Sequence, residues 1–358
     1  MARETREASA QRGKRKLSPS EISVFCSQIS IFMRAGVTLI EGISLLLEDL
    51  EQGRLRAAVE SIAGALKERK TLSEAVEKTG VFPEYLMRMV KIGETSGTLD
   101  ETMASISAYY ERESALKQRI KNAVTYPIVL VCMMAAVVML LIMRVLPTFD
   151  SILKSLGRPM PPLVRGLMDF GRFVGDNALV AAAVLAVVVA AFVLTGRTSA
   201  GREFFDRIKM SLPFVRPVMQ KIASERFATA MSFLLKSDID IEQAVDMSKE
   251  LAGNSYLTNK IDRCLKLSRK GDQIFDAIAE AGIFPRLFTR MLSIGVKTGD
   301  LDEIMGQLSR IYEQESDAAL RKLTAIIEPA FVAVLSVIVG VILVSVMLPL
   351  IDIMSSIG

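Results

Sequence analysis

The chain of 358 residues has no histidine, three cysteines and only 6% aromatic residues. Without histidine the commonest general base and the commonest metal ligand are lost together. Cys26, Cys132 and Cys264 stand in no C-x-x-C spacing, and Cys132 lies inside a long apolar run, so neither a disulfide framework nor a thiolate metal site is supported. Surplus charge is scarce as well. Lys and Arg exceed Asp and Glu by 4, with no aromatic stripe beside them, which leaves nucleic acid a poor partner. No catalytic residue, metal site or cofactor is expected.

Charge is also missing locally. Asn122 to Met143, Asn177 to Gly196 and Pro329 to Ile351 carry none, and about 20 apolar residues at 1.5 Å each cross a hydrocarbon core of about 30 Å. With 51% hydrophobic residues overall, this reads as a membrane protein with three spans, a partner of the lipid bilayer. Glu21, Gln28 and Arg34 interrupt the stretch after the basic amino terminus, so no cleavable signal peptide is expected.

What is present is a duplication. Gly80-Val81-Phe82-Pro83, Ile92-Gly93, Gly97-Thr98-Leu99-Asp100-Glu101 and Tyr110-Glu111-Arg112-Glu113 recur 202 positions later. The second copy reads Gly282-Ile283-Phe284-Pro285, Ile294-Gly295, Gly299-Asp300-Leu301-Asp302-Glu303 and Tyr312-Glu313-Gln314-Glu315. About half the residues of these stretches are identical, far above what unrelated helices show. The same offset pairs Phe25 with Phe227, Ser30 with Ser232, Tyr126-Pro127 with Glu328-Pro329, and Leu146-Pro147 with Leu348-Pro349.

Within each copy, apolar residues recur at helical spacing, as in Ile22, Phe25, Ile29, Phe32 and Met33, and strand alternation is absent. Ser18 with Glu21, Thr38 with Glu41, Thr71 with Glu74 and Thr98 with Glu101 have capping-box spacing; Gly36, Gly53, Gly80 and Gly97 stand where helices should end. The expected fold is an all-α membrane protein with two repeated cytoplasmic six-helix bundle domains and three transmembrane helices. Its expected order is a basic tail (1–17), first repeat (18–121), span (122–147), extracytoplasmic connection (148–176), span (177–196), basic helical linker (197–225), second repeat (226–327), span (328–351) and extracytoplasmic tail (352–358). No Pro separates Thr98 from Tyr126, or Asp300 from Glu328, so the last helix of each repeat is expected to continue into its span.

Arg112, Lys117, Arg119 and Lys121 precede the first span, Arg197, Arg202, Arg207 and Lys209 follow the second, and no Lys or Arg follows the third. The positive-inside bias then puts both repeats in the cytoplasm and the carboxyl terminus outside, against a partial dissent from Lys154, Arg158, Arg165 and Arg172.

Three features invite a chemical reading. Gly93-Glu94-Thr95-Ser96-Gly97 lacks the Lys-Ser or Lys-Thr of a phosphate loop, and its second copy differs in the middle, so a tight helix-to-helix turn with positive-φ glycines is the better reading. Glu111 with Glu113, and Glu313 with Glu315, are paired carboxylates two apart on a helix. They point in different directions, which favours a solvated face over a partner surface or a weak Ca²⁺ site. Glu328 and Arg144 border the spans, where snorkelling is cheap and an ion pathway is the lesser reading.

The doubled F-P, I-G-x-x-x-G-x-L-D-E and Y-E-x-E stretches, with Tyr126-Pro127 and Glu328-Pro329 at the membrane entry and a Leu-Pro exit, are similar to the inner-membrane platform proteins of type II secretion systems and type IV pili. The likeness covers about Phe25 to Asp352, although many members begin with a further small domain not seen here. It implies a non-enzymatic scaffold that meets a cytoplasmic assembly ATPase, receives pilin or pseudopilin subunits, joins other inner-membrane assembly components and forms a homo-oligomer. The repeat signature, Phe82, Pro83, Gly93, Gly97, Leu99, Asp100, Glu101, Tyr110, Glu111, Glu113, Pro127 and their counterparts Phe284, Pro285, Gly295, Gly299, Leu301, Asp302, Glu303, Tyr312, Glu313, Glu315, Glu328 and Pro329, is expected to serve structure or partner contact. A transporter or channel subunit is the alternative, but it calls for polar residues or broken helices at mid-bilayer, and the three spans are apolar there.

Overall fold

A computed structural model describes residues 16–155, scattered positions between 162 and 201, and residues 211–357 other than 238, 271–272, 285–290, 293 and 296–297. Apart from isolated positions, the second expected span, the basic tail to residue 15, most of the connection and linker, and Pro285 lie outside the described residues.

All regular structure among the described residues is helical. The first repeat runs α1 (Pro19–Arg34), α2 (Leu39–Asp49), α3 (Arg54–Lys67), α4 (Leu72–Thr79), α5 (Glu84–Ser96) and α6 (Leu99–Leu140). A π-helical turn (Leu141–Val145) and α7 (Leu146–Ser155) continue it. In the second repeat the described helices are α8 (Arg216–Lys236), α9 (Ile241–Leu251), α10 (Ser255–Ser268), α11 (Ile274–Ala281) and α12 (Leu301–Ile357).

Side chains set several of these boundaries. Ser18 Oγ accepts from Glu21 N at 3.3 Å while Glu21 Oε2 accepts from Ser18 N at 2.7 Å, so two amides that α1 cannot satisfy internally are bonded. Thr71 and Glu74 do the same for α4. Gly36, Gly80 and Gly97 have positive φ at helix ends, whereas Gly53 differs from expectation: its φ of 173° is extended, and it precedes α3 instead of closing α2. Arg69 takes a left-handed φ of 64°, at the position where the second repeat carries Gly271.

The helices fall into two compact units. One gathers Met1–Arg119 with Pro217–Asp317, the other Ile120–Arg216 with Ala318–Gly358. In the first unit a single hydrophobic core runs through both repeats, from Ile22, Phe25 and Ile62 to Phe227, Ile261 and Met305, all at most 2% exposed. Burial of each such side chain stabilises by about 2 kcal/mol.

Among the described residues two helices are long and apolar enough to cross a membrane, Leu99–Ile152 and Leu301–Val341, and their parts from Ile120 and from Ala318 onward belong to the second unit. Their large apolar side chains stand outward, Leu140 at 59% and Val337 at 65% exposure, the inverse of a soluble core. The first of these helices does not stop at its Leu-Pro pair, as α7 carries it on to Ser155. Pro147 has no N–H and its ring crowds the preceding turn. That turn is the π-helical one, closed by Leu146 N donating to Leu141 O, and Ile142 and Leu146 pack there against Met168. Ahead of the second repeat, α8 begins at Arg216, inside the expected helical linker, with Pro217 in the first turn where a missing amide costs nothing.

Candidate functional site

The signature residues divide into a skeleton common to the repeats and a set of charges that joins them. In the skeleton, Phe25 packs at a tilt against Phe82 with ring centroids 5.3 Å apart, and Phe227 against Phe284 at 5.6 Å. Ser30 Oγ donates to Asp100 O at 2.9 Å, and Ser232 Oγ to Asp302 O at 3.3 Å. Leu99 and Leu301 are buried. Asp100, Glu101, Asp302 and Glu303 lie in the first turns of α6 and α12, where negative charge complements the helix dipole. Tyr110 and Tyr312 are 5% and 4% exposed, and Pro83 is the residue preceding α5.

The two glycines of each G-x-x-x-G do different work. Gly97 and Gly299 have φ of 75° and 85° and let the chain turn between helices. Gly93 is helical, against the positive-φ expectation for both. A Cβ there would lie 2.4 Å from Thr102 Oγ1, so its absence is what lets α5 and α6 approach; one on Gly295 would lie 2.7 Å from Ile304 Cδ1. Pro127 and Pro329 sit inside long helices, with Glu328 beside the latter.

The Y-E-x-E stretches lead to the joint between the repeats, within the first unit. Glu113 on α6 meets Arg226 on α8 at 2.9 Å, each side chain 13% exposed. Six residues along α6, Arg119 reaches Glu225 of α8 at 2.6 Å, Asp317 of α12 at 2.6 Å and Glu313 at 3.5 Å. Ser316 also donates to Glu225, and Lys221 pairs with Glu315. Arg112 donates to Ser309 at 3.3 Å and lies 5.4 Å over the Phe233 ring. A second contact joins Arg88 of α5 to Glu250 (3.0 Å) and Asp246 (3.9 Å) of α9. Burial pushes the Glu225 carboxyl above its ordinary value, although Ser316 and Arg119 pull it down. Such a network adds little to net stability because its charges are desolvated, but removing one member strands the others and is costly.

The expectation for the paired carboxylates is therefore met unevenly. Glu111 is exposed and takes no part in the joint, while Glu113, Glu313 and Glu315 are tied to cations of the other repeat or of α8. Arg119, Glu225 and Arg226 were not among the expected site residues, since a search for positions shared by the repeats passes over those that differ. Their counterparts are Arg321, Ser23 and Val24. A Glu-Arg pair set between apolar Ile222 and Phe227 on one helix was the available signal.

The model of the family described as "Type II secretion system (T2SS), protein F" matches twice, at residues 25–147 and 227–349. A relative in Thermus thermophilus, named type IV pilus assembly protein PilC, is 30% identical over 94% of this chain and 84% of its own length. Its namesake in Pseudomonas aeruginosa is 27% identical over 96% and 92%. The type II secretion system protein F of Xanthomonas campestris pv. campestris is 24% identical over 99% and 90%.

Proposed function

Because the chain belongs to the type II secretion system protein F family, we propose that it couples a cytoplasmic assembly ATPase to the polymerisation of pilin or pseudopilin subunits in the inner membrane. Its role is that of a non-enzymatic platform protein of type IV pilus or type II secretion machinery. The observation that carries the coupling is the pair of long helices. The residues that clasp the repeats, Glu113 and Arg119 on α6 and Glu313 and Asp317 on α12, lie on the same uninterrupted helices as the apolar stretches. Motion imposed on the joint would pass along a helix instead of dissipating in a loop.

In this reading both repeats lie in the cytoplasm, three spans cross the inner membrane, the carboxyl terminus is extracytoplasmic, and the protein works as a homo-oligomer among other inner-membrane components. The distribution of Lys and Arg supports the orientation. In a variant with Cys26, Cys132 and Cys264 replaced by serine, cysteine at Ser356 should react with a membrane-impermeant thiol reagent in intact cells, and cysteine at Ser61 should not.

The coupling is tested by inserting Gly-Gly-Pro after Lys121 or after Leu323, since proline in a helix interior costs about 3 kcal/mol and kinks it. Both variants should reach the membrane and retain ATPase binding, yet fail to assemble fibres or secrete. Full assembly activity would reject transmission through these helices.

A further inference from the structure

The repeats treat one groove differently. In the first, the chain ahead of α1 is extended and folds back over α3 and the turn after α4. Leu17 is 5% exposed, its N–H donates to Val81 O at 3.1 Å, and Arg54 Nη1 donates to Lys16 O at 3.3 Å. The Ser18 capping box makes this possible by ending α1 where the chain must turn back.

The second repeat lacks that device. The counterparts of Leu17 and Ser18 are Met219 and Gln220, both inside α8, which starts at Arg216. The chain leaves as helix, and among the described residues a groove of about 470 Å³ lies at the place of the Lys16–Leu17 segment, with Ile283 O, the counterpart of Val81 O, accepting from Ser224 Oγ at 2.9 Å. Its lining contains the counterparts of the very residues that hold Leu17: Tyr256 for Arg54 and Ile283 for Val81, with Phe284 and Tyr312 forming an aromatic wall. The size suits an apolar side chain with a few residues of backbone.

The rim gives the charge of the occupant. Lys260 lies 4.9 Å from the Tyr256 ring centre and donates to Gly282 O, while Lys221 is engaged by Glu315. Lys260 thus offers a cation at the mouth with no carboxylate of this chain bonded to it among the described residues. The chain's own amino-terminal segment would bring Lys14, Arg15 and Lys16 against it, a like-charge juxtaposition that disfavours a second copy.

We infer that this groove is a docking site for an extended peptide of a partner protein, with one Leu-sized residue seated where Leu17 sits in the first repeat and acidic residues just before it facing Lys260. The site is independent of the coupling described above, and either can fail without the other.

The test uses the full chain in detergent micelles and fluorescence anisotropy with labelled peptides. The probe Asp-Glu-Leu-Ser-Pro-Ser keeps residues 17–20 of this chain behind two acids. It should bind saturably, lose binding when its Leu becomes Ala, and bind about tenfold more weakly to Lys260→Glu. Circular dichroism checks the fold of that variant, and Lys260→Gln replaces it if it does not purify folded, with weakening in the same direction. Tighter binding of Lys-Arg-Lys-Leu-Ser-Pro, residues 14–19, would overturn the inference in favour of a second copy. No saturable binding up to millimolar peptide, or equal binding to wild type and the charge variants, would overturn it outright.

Discussion

Where α1 of the first repeat carries Ser23 and Val24, α8 of the second carries Glu225 and Arg226, and the environments diverge accordingly. Val24 is 45% exposed, while the Arg226 side chain, 13% exposed, is held against Glu113. Around these positions the tilted phenylalanine pairs, the serine-to-carbonyl hydrogen bonds and the glycine turns recur in both repeats. A duplicated domain thus keeps what folds it and changes what it presents. Two identical halves would have offered each other the same surface, whereas the substituted pair gives one half a receptor for the last helix of the other.

The comparison is broken most severely at Arg119. Replacing it with Met leaves Glu225 buried beside Asp317 without its cation, and should destabilise the first unit by about 3 kcal/mol. Its counterpart change Arg321→Met, at an exposed position, should stay within about 0.5 kcal/mol. Thermal melting of the full chain in detergent reads both, and equal shifts would refute the asymmetry of the joint.

A smaller difference is expected between Gly93→Ala and Gly295→Ala. The first drives a methyl into the β-branched stem of Thr102, with Oγ1 at 2.4 Å and Cβ at 2.7 Å; the second meets the movable end of Ile304 at 2.7 Å. Overpacking should cost about 2 kcal/mol at Gly93 and about 1 kcal/mol at Gly295. The double variant Gly93→Ala with Thr102→Ala should recover most of the loss in the same melting experiment.

Making the first repeat resemble the second should also help it once. Arg69→Gly relieves a left-handed residue and should raise stability by about 0.5–1 kcal/mol; a lowered melting temperature would show that the Arg69 side chain matters more than its backbone.

The smallest effect is a pH dependence. The folded-state carboxyl of Glu225 is pushed above its unfolded value, burial first among the causes, with Ser316, Arg119 and Glu313 acting on it. Its contribution is therefore full below the unfolded pKa and declines as pH rises through the folded one. Glu225→Gln has no such ionisation, so its melting temperature should improve relative to wild type between about pH 4 and pH 7. A gap that widens against the variant over that range would reverse the assignment.

Much of this fold was legible because helices announce themselves locally. The caps at Ser18 and Thr71, the glycine stops and the apolar periodicity all act within a few residues of sequence. The joint was not legible for the converse reason: Glu113 and Arg226 are 113 positions apart, and their pairing depends on how whole helices pack. Repetition in the sequence points to Glu113, Glu313 and Glu315 but passes over Arg226, which acts by not repeating. Gly93 shows the remaining limit, because a glycine needed for a close approach looks in sequence like one needed for a turn.

The π-helical turn at Leu141–Val145 gives the duplication a further twist. An α-helix advances by about 100° per residue, and a single wide turn lets one residue pass without its usual share of rotation. Pro147 and Pro349 are counterparts, yet α12 runs from Leu301 to Ile357 with no such turn. Beyond this point the two copies are out of phase by roughly one residue's rotation. Helix positions that correspond beyond this point, Pro147 and Pro349 among them, therefore lie at different compass bearings about their own helix axes. The copies behave as two screws of the same thread, one of them advanced by a notch.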